Sequence, residues 1–111
     1  WVLIPDEQNS ISTAQAQYNT SISNAAALHE GLVLVDMKSY LTELNTSGIS
    51  FNGGLVTSTY ASGGGFSLDG VHPTAQGYSL IANRIIGKIN QEFNATIPTV
   101  LPSEYSTIFF E

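Results

Sequence analysis

The sequence predicts an α/β fold with a parallel sheet, and three observations carry that expectation. Residues 32–37, "LVLVDM", form a continuous apolar run of the kind presented by a strand covered on both faces. Residues 1–4, "WVLI", form a second such run, ended by Pro5 and the acidic pair Asp6 and Glu7. A helical pattern separates the two runs and another follows them, so the opening residues read strand, helix, strand, helix.

Each element has its own signal. The first strand is expected to open into a loop at its carboxyl end, and a chain starting "WVLIPDEQ" is expected to be a piece of a longer protein. Ser12 and Gln15 match the S-x-x-Q capping box of a helix whose face carries Tyr18, Ile22, Ala25, Ala26 and His29. Gly31 stands where such a helix would stop. Asp36 closes the second strand, and Tyr40, Leu41 and Leu44 predict a short helix over residues 39–45. Residues 46–67 are rich in Gly, Ser and Thr, with β-prone pieces at 49–51 and 55–60 and a small hairpin expected to turn at Asn52-Gly53. The strongest helix follows. Pro73 suits its first position, while Tyr78, Ile81, Ala82, Ile85, Ile89 and Phe93 make one apolar stripe, with Asn83, Arg84 and Lys88 largely off it. The helix is expected to end near Phe93. Residues 94–111 are rich in proline and aromatic residues, too broken for regular helix and too apolar to float in water, so they are expected to pack on the domain.

Composition narrows the function. Of 111 residues, 42% are hydrophobic, which provides for a packed core, while charged residues make up 11%. An average soluble protein has about 25%. A surface built from Ser, Thr, Asn, Gln and Gly fits a secreted or cell-envelope protein. The net charge of −6 argues against a nucleic-acid partner or adhesion to anionic lipid, both of which need a basic surface. Without cysteine there is no disulfide, no zinc-thiolate site and no thiol nucleophile. The "GGG" at residues 63–65 lacks both the G-x-G-x-x-G spacing and the Walker lysine of a phosphate cradle.

The chemistry, if any, lies in "FSLDGVHPTAQGY", residues 66–78, where Asp69 and His72 stand three apart before a proline. Acyl transfer by a serine enzyme needs an imidazole to take the hydroxyl proton and return it to the leaving group. It also needs a carboxylate on the far ring nitrogen. Asp69 could accept from Nδ1 of His72 within one tight turn, leaving Nε2 to face outward, with Gly70 keeping the turn unobstructed. On its own D-x-x-H is a common spacing, and its plainer reading is a turn in which Asp69 binds backbone groups and His72 caps a helix.

"LDGVHPTAQGYSLIAN" closely resembles the last conserved block of the SGNH, or GDSL-type, serine esterases and lipases. An apolar strand ending in Val-Asp and a glycine-rich stretch before the block are also similar, so the resemblance spans residues 1–93, although only the final block is specific. It implies a three-layer α/β/α architecture with a parallel sheet, flavodoxin-like, of which only the C-terminal part is present. A complete doubly wound sheet needs several βαβ units of about 30 or more residues each. The resemblance further implies hydrolysis of carboxylic esters, with His72 as general base and acid, Asp69 as its orienting carboxylate, and no metal or organic cofactor. The implied partners are the N-terminal part of the same hydrolase and a small ester or lipid substrate.

The family's nucleophilic serine and oxyanion-hole blocks have no counterpart here. The nearest string, "GFSL" at residues 65–68, puts Ser67 two residues before Asp69, too close along the chain to reach the far face of His72, and no G-x-S-x-G elbow exists. The serine is therefore expected outside this chain, which alone should be catalytically silent. Other residues have structural readings: His29 at a helix end, Asp36 as a loop anchor, Asn19, Asn45 and Asn94 as sequon starts in a Ser/Thr-rich chain. Two histidines without H-x-x-x-H spacing are a poor start for a metal site. The alternatives from other classes are a non-catalytic binding or accessory module of the cell envelope, and a structural domain docking a partner through its aromatic tail. Uncovered edges of the two expected strands would favour self-association or strand exchange.

Overall fold

The computed structural model of the chain describes residues 2–108. Trp1 of the expected first strand and Phe109 and Phe110 of the tail lie outside the described residues. The chain divides after Leu34 into two units.

In the first unit a single helix, α1, runs from Pro5 to Leu28. Pro5 is its first residue, where a missing N–H costs nothing, and Asp6 and Glu7 complement the positive end of the helix dipole. A Glu7 carboxylate oxygen accepts the Ile4 N–H at 2.9 Å. This start lies well before the Ser12–Gln15 capping box, which falls inside the helix. Pro5, which looked like the end of a strand, instead begins a helix. Ser10, Thr20 and Ser21 donate their hydroxyls to the carbonyls of Asp6, Ala16 and Gln17. Hydroxyls that bond the preceding turn in this way are compatible with a helix interior. The chain leaves the helix at His29, which is already extended, and Gly31, at φ +86°, lies in the turn beyond it.

Neither apolar run is a strand. Residues 2–4 and 32–36 carry no ladder, and the only sheet among the described residues is two-stranded and antiparallel. The expected three-layer fold with a parallel sheet is therefore corrected to a mostly helical chain with one small hairpin. A short apolar run fits a buried strand or other buried segments equally, and it becomes a strand only where a neighbour supplies backbone partners. Without strands at residues 2–4 and 32–35, edge-to-edge pairing through them loses its basis.

The second unit begins with α2, Met37–Thr46. Asp36 caps it, accepting the Ser39 N–H at 2.9 Å and the Ser39 hydroxyl at 2.6 Å. Strands β1 (Ile49–Phe51) and β2 (Gly54–Val56) pair antiparallel, with Ile49 opposite Val56 and Phe51 opposite Gly54. The turn falls at Asn52-Gly53, with Gly53 at φ +131°. Helix α3 spans Ala75–Phe93 and ends at Asn94, whose φ of 50° places it in the left-handed region. Its cap is Thr74, whose Oγ1 accepts the Gly77 N–H at 3.0 Å. Pro73 thus precedes the cap instead of opening the helix.

Tyr40, Leu44, Val56 and Leu80 form the core, with Met37, Ile49, Phe51 and Phe66 packed around it. The buried side of α3 is Gln76, Gly77, Ser79 and Leu80. Tyr78, Ile85 and Phe93 of the expected apolar stripe are exposed. Tyr40 joins α2 to α3: its hydroxyl donates to the Leu80 carbonyl at 3.2 Å, and the Arg84 guanidinium sits 5.3 Å from its ring centre. Burial pushes the Tyr40 hydroxyl pKa up.

The tail runs back along α3, clasped by side-chain amides seven residues apart. Asn90 exchanges two hydrogen bonds with the backbone of Ile97, and Asn83 exchanges two with Val100, all at 2.8–2.9 Å. Gln76 donates to the Pro102 carbonyl at 3.1 Å, and its backbone N–H bonds Ser106. Seven helical residues rise about 10.5 Å, and the three extended residues from 97 to 100 cover about 10 Å. The two spacings match, so side chains two helix turns apart meet the tail at Ile97 and Val100. Replacing Asn83 with alanine removes two partly buried bonds at about 0.5–1.5 kcal/mol each. The expected result is faster amide hydrogen exchange in residues 97–107 and little change in α2; equal protection in mutant and wild type would contradict the clasp.

Candidate functional site

The segment bearing Asp69 and His72 is a closed loop rooted on the glycines. Thr57 donates its N–H to Gly63 at 2.8 Å and accepts from Gly65 at 3.2 Å. A methyl at Gly63 would lie 2.5 Å from the Thr57 carbonyl, so only glycine permits that approach. The Gly64 carbonyl accepts two hydroxyls, Thr74 and Thr107, each at 2.6 Å. From this root the chain goes out and returns. Thr74 N–H bonds the Gly65 carbonyl at 3.1 Å, Phe66 bridges Pro73, and Ser67 N–H bonds the His72 carbonyl at 2.8 Å. At the tip, Gly70 N–H bonds the Ser67 carbonyl at 3.0 Å, with Gly70 at φ +69°. The Tyr60 hydroxyl braces the loop from outside, donating to the Leu68 carbonyl at 2.8 Å.

Asp69 and His72 meet inside this loop. Nδ1 of His72 lies 2.6 Å from Oδ2 of Asp69, with side chains 71% and 50% exposed respectively. Oδ1 of Asp69 accepts from the Ser67 hydroxyl at 2.7 Å and from the backbone N–H groups of Val71 and His72 at 2.8 and 2.9 Å. With its Nδ1 edge on Asp69, the imidazole has Nε2 on the side away from the carboxylate. Ser67 stands on the carboxylate side and bonds Asp69, so it does not face Nε2.

These donors hold the Asp69 carboxyl well below the usual carboxylate range, the His72 ring contributing most, then the Ser67 hydroxyl and the two backbone N–H groups. The folded-state value lies below the ordinary value of about 3.9. The stability contributed is thus fully present above that ordinary value and is lost as pH falls through the lower folded one. The Asp69 carboxyl carbon is expected to keep the chemical shift of an ionised carboxylate at about pH 3, where an ordinary aspartate is mostly protonated. A midpoint in the ordinary range would refute this account.

The remaining candidates sit elsewhere. His29 follows the last turn of α1, where its carbonyl accepts from Leu32. Asp36 caps α2, and Ser39 holds its carboxyl below the ordinary value. Asn45 accepts the Ser58 hydroxyl at 2.7 Å. No group of three or more histidine, aspartate or glutamate side chains suited to a metal gathers among the described residues, and no helix there is long and apolar enough to cross a membrane. Sequence reasoning missed the bracing roles of Ser67, Tyr60 and Thr74. The S-x-D spacing of residues 67–69 was a signal for the first; nothing local marks Tyr60.

No family model, curated protein or solved structure matches this chain.

Proposed function

We propose that this chain supplies the acid–base pair of a carboxylic ester hydrolase of the SGNH, or GDSL, type, whose nucleophilic serine lies outside residues 1–111. The observation that carries the reading is the 2.6 Å contact between Asp69 Oδ2 and His72 Nδ1 on an exposed loop. It rests on that loop and its resemblance to the family's last block, and not on a parallel sheet.

With Nδ1 committed to Asp69, Nε2 of His72 accepts the serine hydroxyl proton as the oxygen bonds the ester carbonyl carbon. The tetrahedral intermediate collapses, and the imidazolium returns its proton to the departing alcohol oxygen. Water then loses a proton to Nε2 while attacking the acyl-serine, and the proton finally goes to the serine oxygen. Asp69 stays ionised throughout and stabilises the imidazolium.

An organophosphonate is the probe. The intact protein is expected to be labelled on a serine outside residues 1–111, located by peptide mapping, while this chain alone is expected to stay unlabelled. A label on Ser67 would overturn the division of roles. Absence of any label on the intact protein would favour the binding or accessory module instead.

A further inference from the structure

Ser67 is out of place for a nucleophile but well placed for another task. The terminal torsion of an aspartate is soft, and the Asp69 side chain is 50% exposed. Left alone, such a carboxylate would present either oxygen to the ring, or water in its place. Here Oδ1 is filled by three donors, while Oδ2 takes the ring. Two of those donors are backbone groups of the same turn as His72. The third, the Ser67 hydroxyl, comes from the opposite limb of the loop.

We propose that Ser67 is a positioning residue of the Asp69–His72 pair, its hydroxyl occupying Oδ1 and reserving Oδ2 for the Nδ1–H of His72. Ser67 is itself fixed, donating its N–H to the His72 carbonyl and accepting from Gly70. Tyr60 pins the next residue, Leu68, through its hydroxyl, and a methyl at Gly70 would lie 3.7 Å from the Tyr60 ring. The limb carrying Ser67 is thus held on both sides of the hydroxyl's attachment. The result is one tautomer: neutral His72 carries its proton on Nδ1 and shows a lone pair at Nε2. The catalytic meaning of this arrangement rests on the function proposed above, whereas the tautomer itself can be measured without any catalysis.

Imidazole nitrogen-15 spectra of the 111-residue chain, at a pH where the rings are neutral, provide the test. The chain has only two histidines, and His29 serves as the internal reference. His72 is expected to be an Nδ1–H tautomer in the wild type. Ser67→Ala is expected to shift it measurably toward Nε2–H, the form free histidine prefers, and Ser67→Thr is expected to restore the wild-type balance. Should Ser67→Ala fail to fold, Ser67→Cys keeps the shape with a weaker donor and is expected to shift the balance in the same direction. A wild-type Nδ1–H signal unchanged in the alanine or cysteine variant overturns the role of Ser67 alone. A wild-type Nε2–H signal overturns both this role and the esterase reading. An inactive intact protein with the Nδ1–H signal and its Ser67 dependence in place overturns only the latter.

Discussion

Replacing His72 with alanine in the intact protein is expected to lower hydrolysis of a short-chain nitrophenyl ester by about 10²–10⁴-fold, the range that positioned acid–base groups contribute. The loss should fall on kcat, with KM little changed, because in the proposed mechanism His72 moves protons in the transition state and does not hold the ester beforehand. Its side chain is 71% exposed at a loop tip, so removing it leaves the packing of Tyr40, Leu44, Val56 and Leu80 untouched. A lost activity with an unchanged thermal midpoint is therefore chemical in origin. Asp69→Asn is expected to lose a comparable factor, since an amide in that place can donate to Nδ1 and turn the ring to the wrong tautomer. Nitrophenyl ester assays over a range of substrate concentration separate kcat from KM. Wild-type turnover in the His72 variant would end the acid–base assignment.

The pair was legible in the sequence because its own contact is local, although the loop that carries it is braced from farther away. Asp69, Gly70 and His72 fall within one turn, and an i, i+3 carboxylate can reach the ring without help from distant chain. The hairpin at Asn52-Gly53 and the span of α2 were legible for the same reason. The expected strands were not, because residues 2–4 and 32–36 could become strands only through partners elsewhere, and apolar character says nothing about whether those partners exist. Pro5 and Pro73 were misassigned in opposite directions. Pro5 opens α1, while Pro73 yields the helix start to Thr74, whose hydroxyl is buried against the Gly64 carbonyl. Which face of α3 is buried was also decided at a distance. The large apolar residues Tyr78 and Ile85 are exposed, whereas Gln76 is buried with bonds to the tail and Ser79 is buried with its hydroxyl on the Gln76 carbonyl. The heptad of Gln76, Asn83 and Asn90 was visible but had no meaning until the tail's backbone was found along it.

Two glycines of α3 are expected to respond to alanine with opposite signs, and the difference ties the fold to the site. At an unhindered helix interior position, glycine to alanine gains about 1 kcal/mol. Nothing lies within 4 Å of a methyl built on Gly87, so Gly87→Ala should gain close to that. A methyl on Gly77 would stand 2.2 Å from the Gly65 carbonyl oxygen and 3.1 Å from the Pro73 ring. Overpacking costs about 1–3 kcal/mol and occasionally more, and here backbone, not a flexible side chain, must yield. With backbone in the way the cost lies toward the upper end of that range and outweighs the propensity gain, for a net loss of up to about 2 kcal/mol. Relief requires the Gly65 carbonyl to move, and that carbonyl accepts the Thr74 N–H that closes the root of the dyad loop. Gly77→Ala should therefore weaken the Asp69–His72 contact as well as the fold, seen as a lower denaturant midpoint together with a His72 ring spectrum shifted toward Nε2–H. Gly87→Ala should raise the midpoint and leave that spectrum alone. Equal midpoints for the two variants would mean that α3 does not rest on the glycine loop.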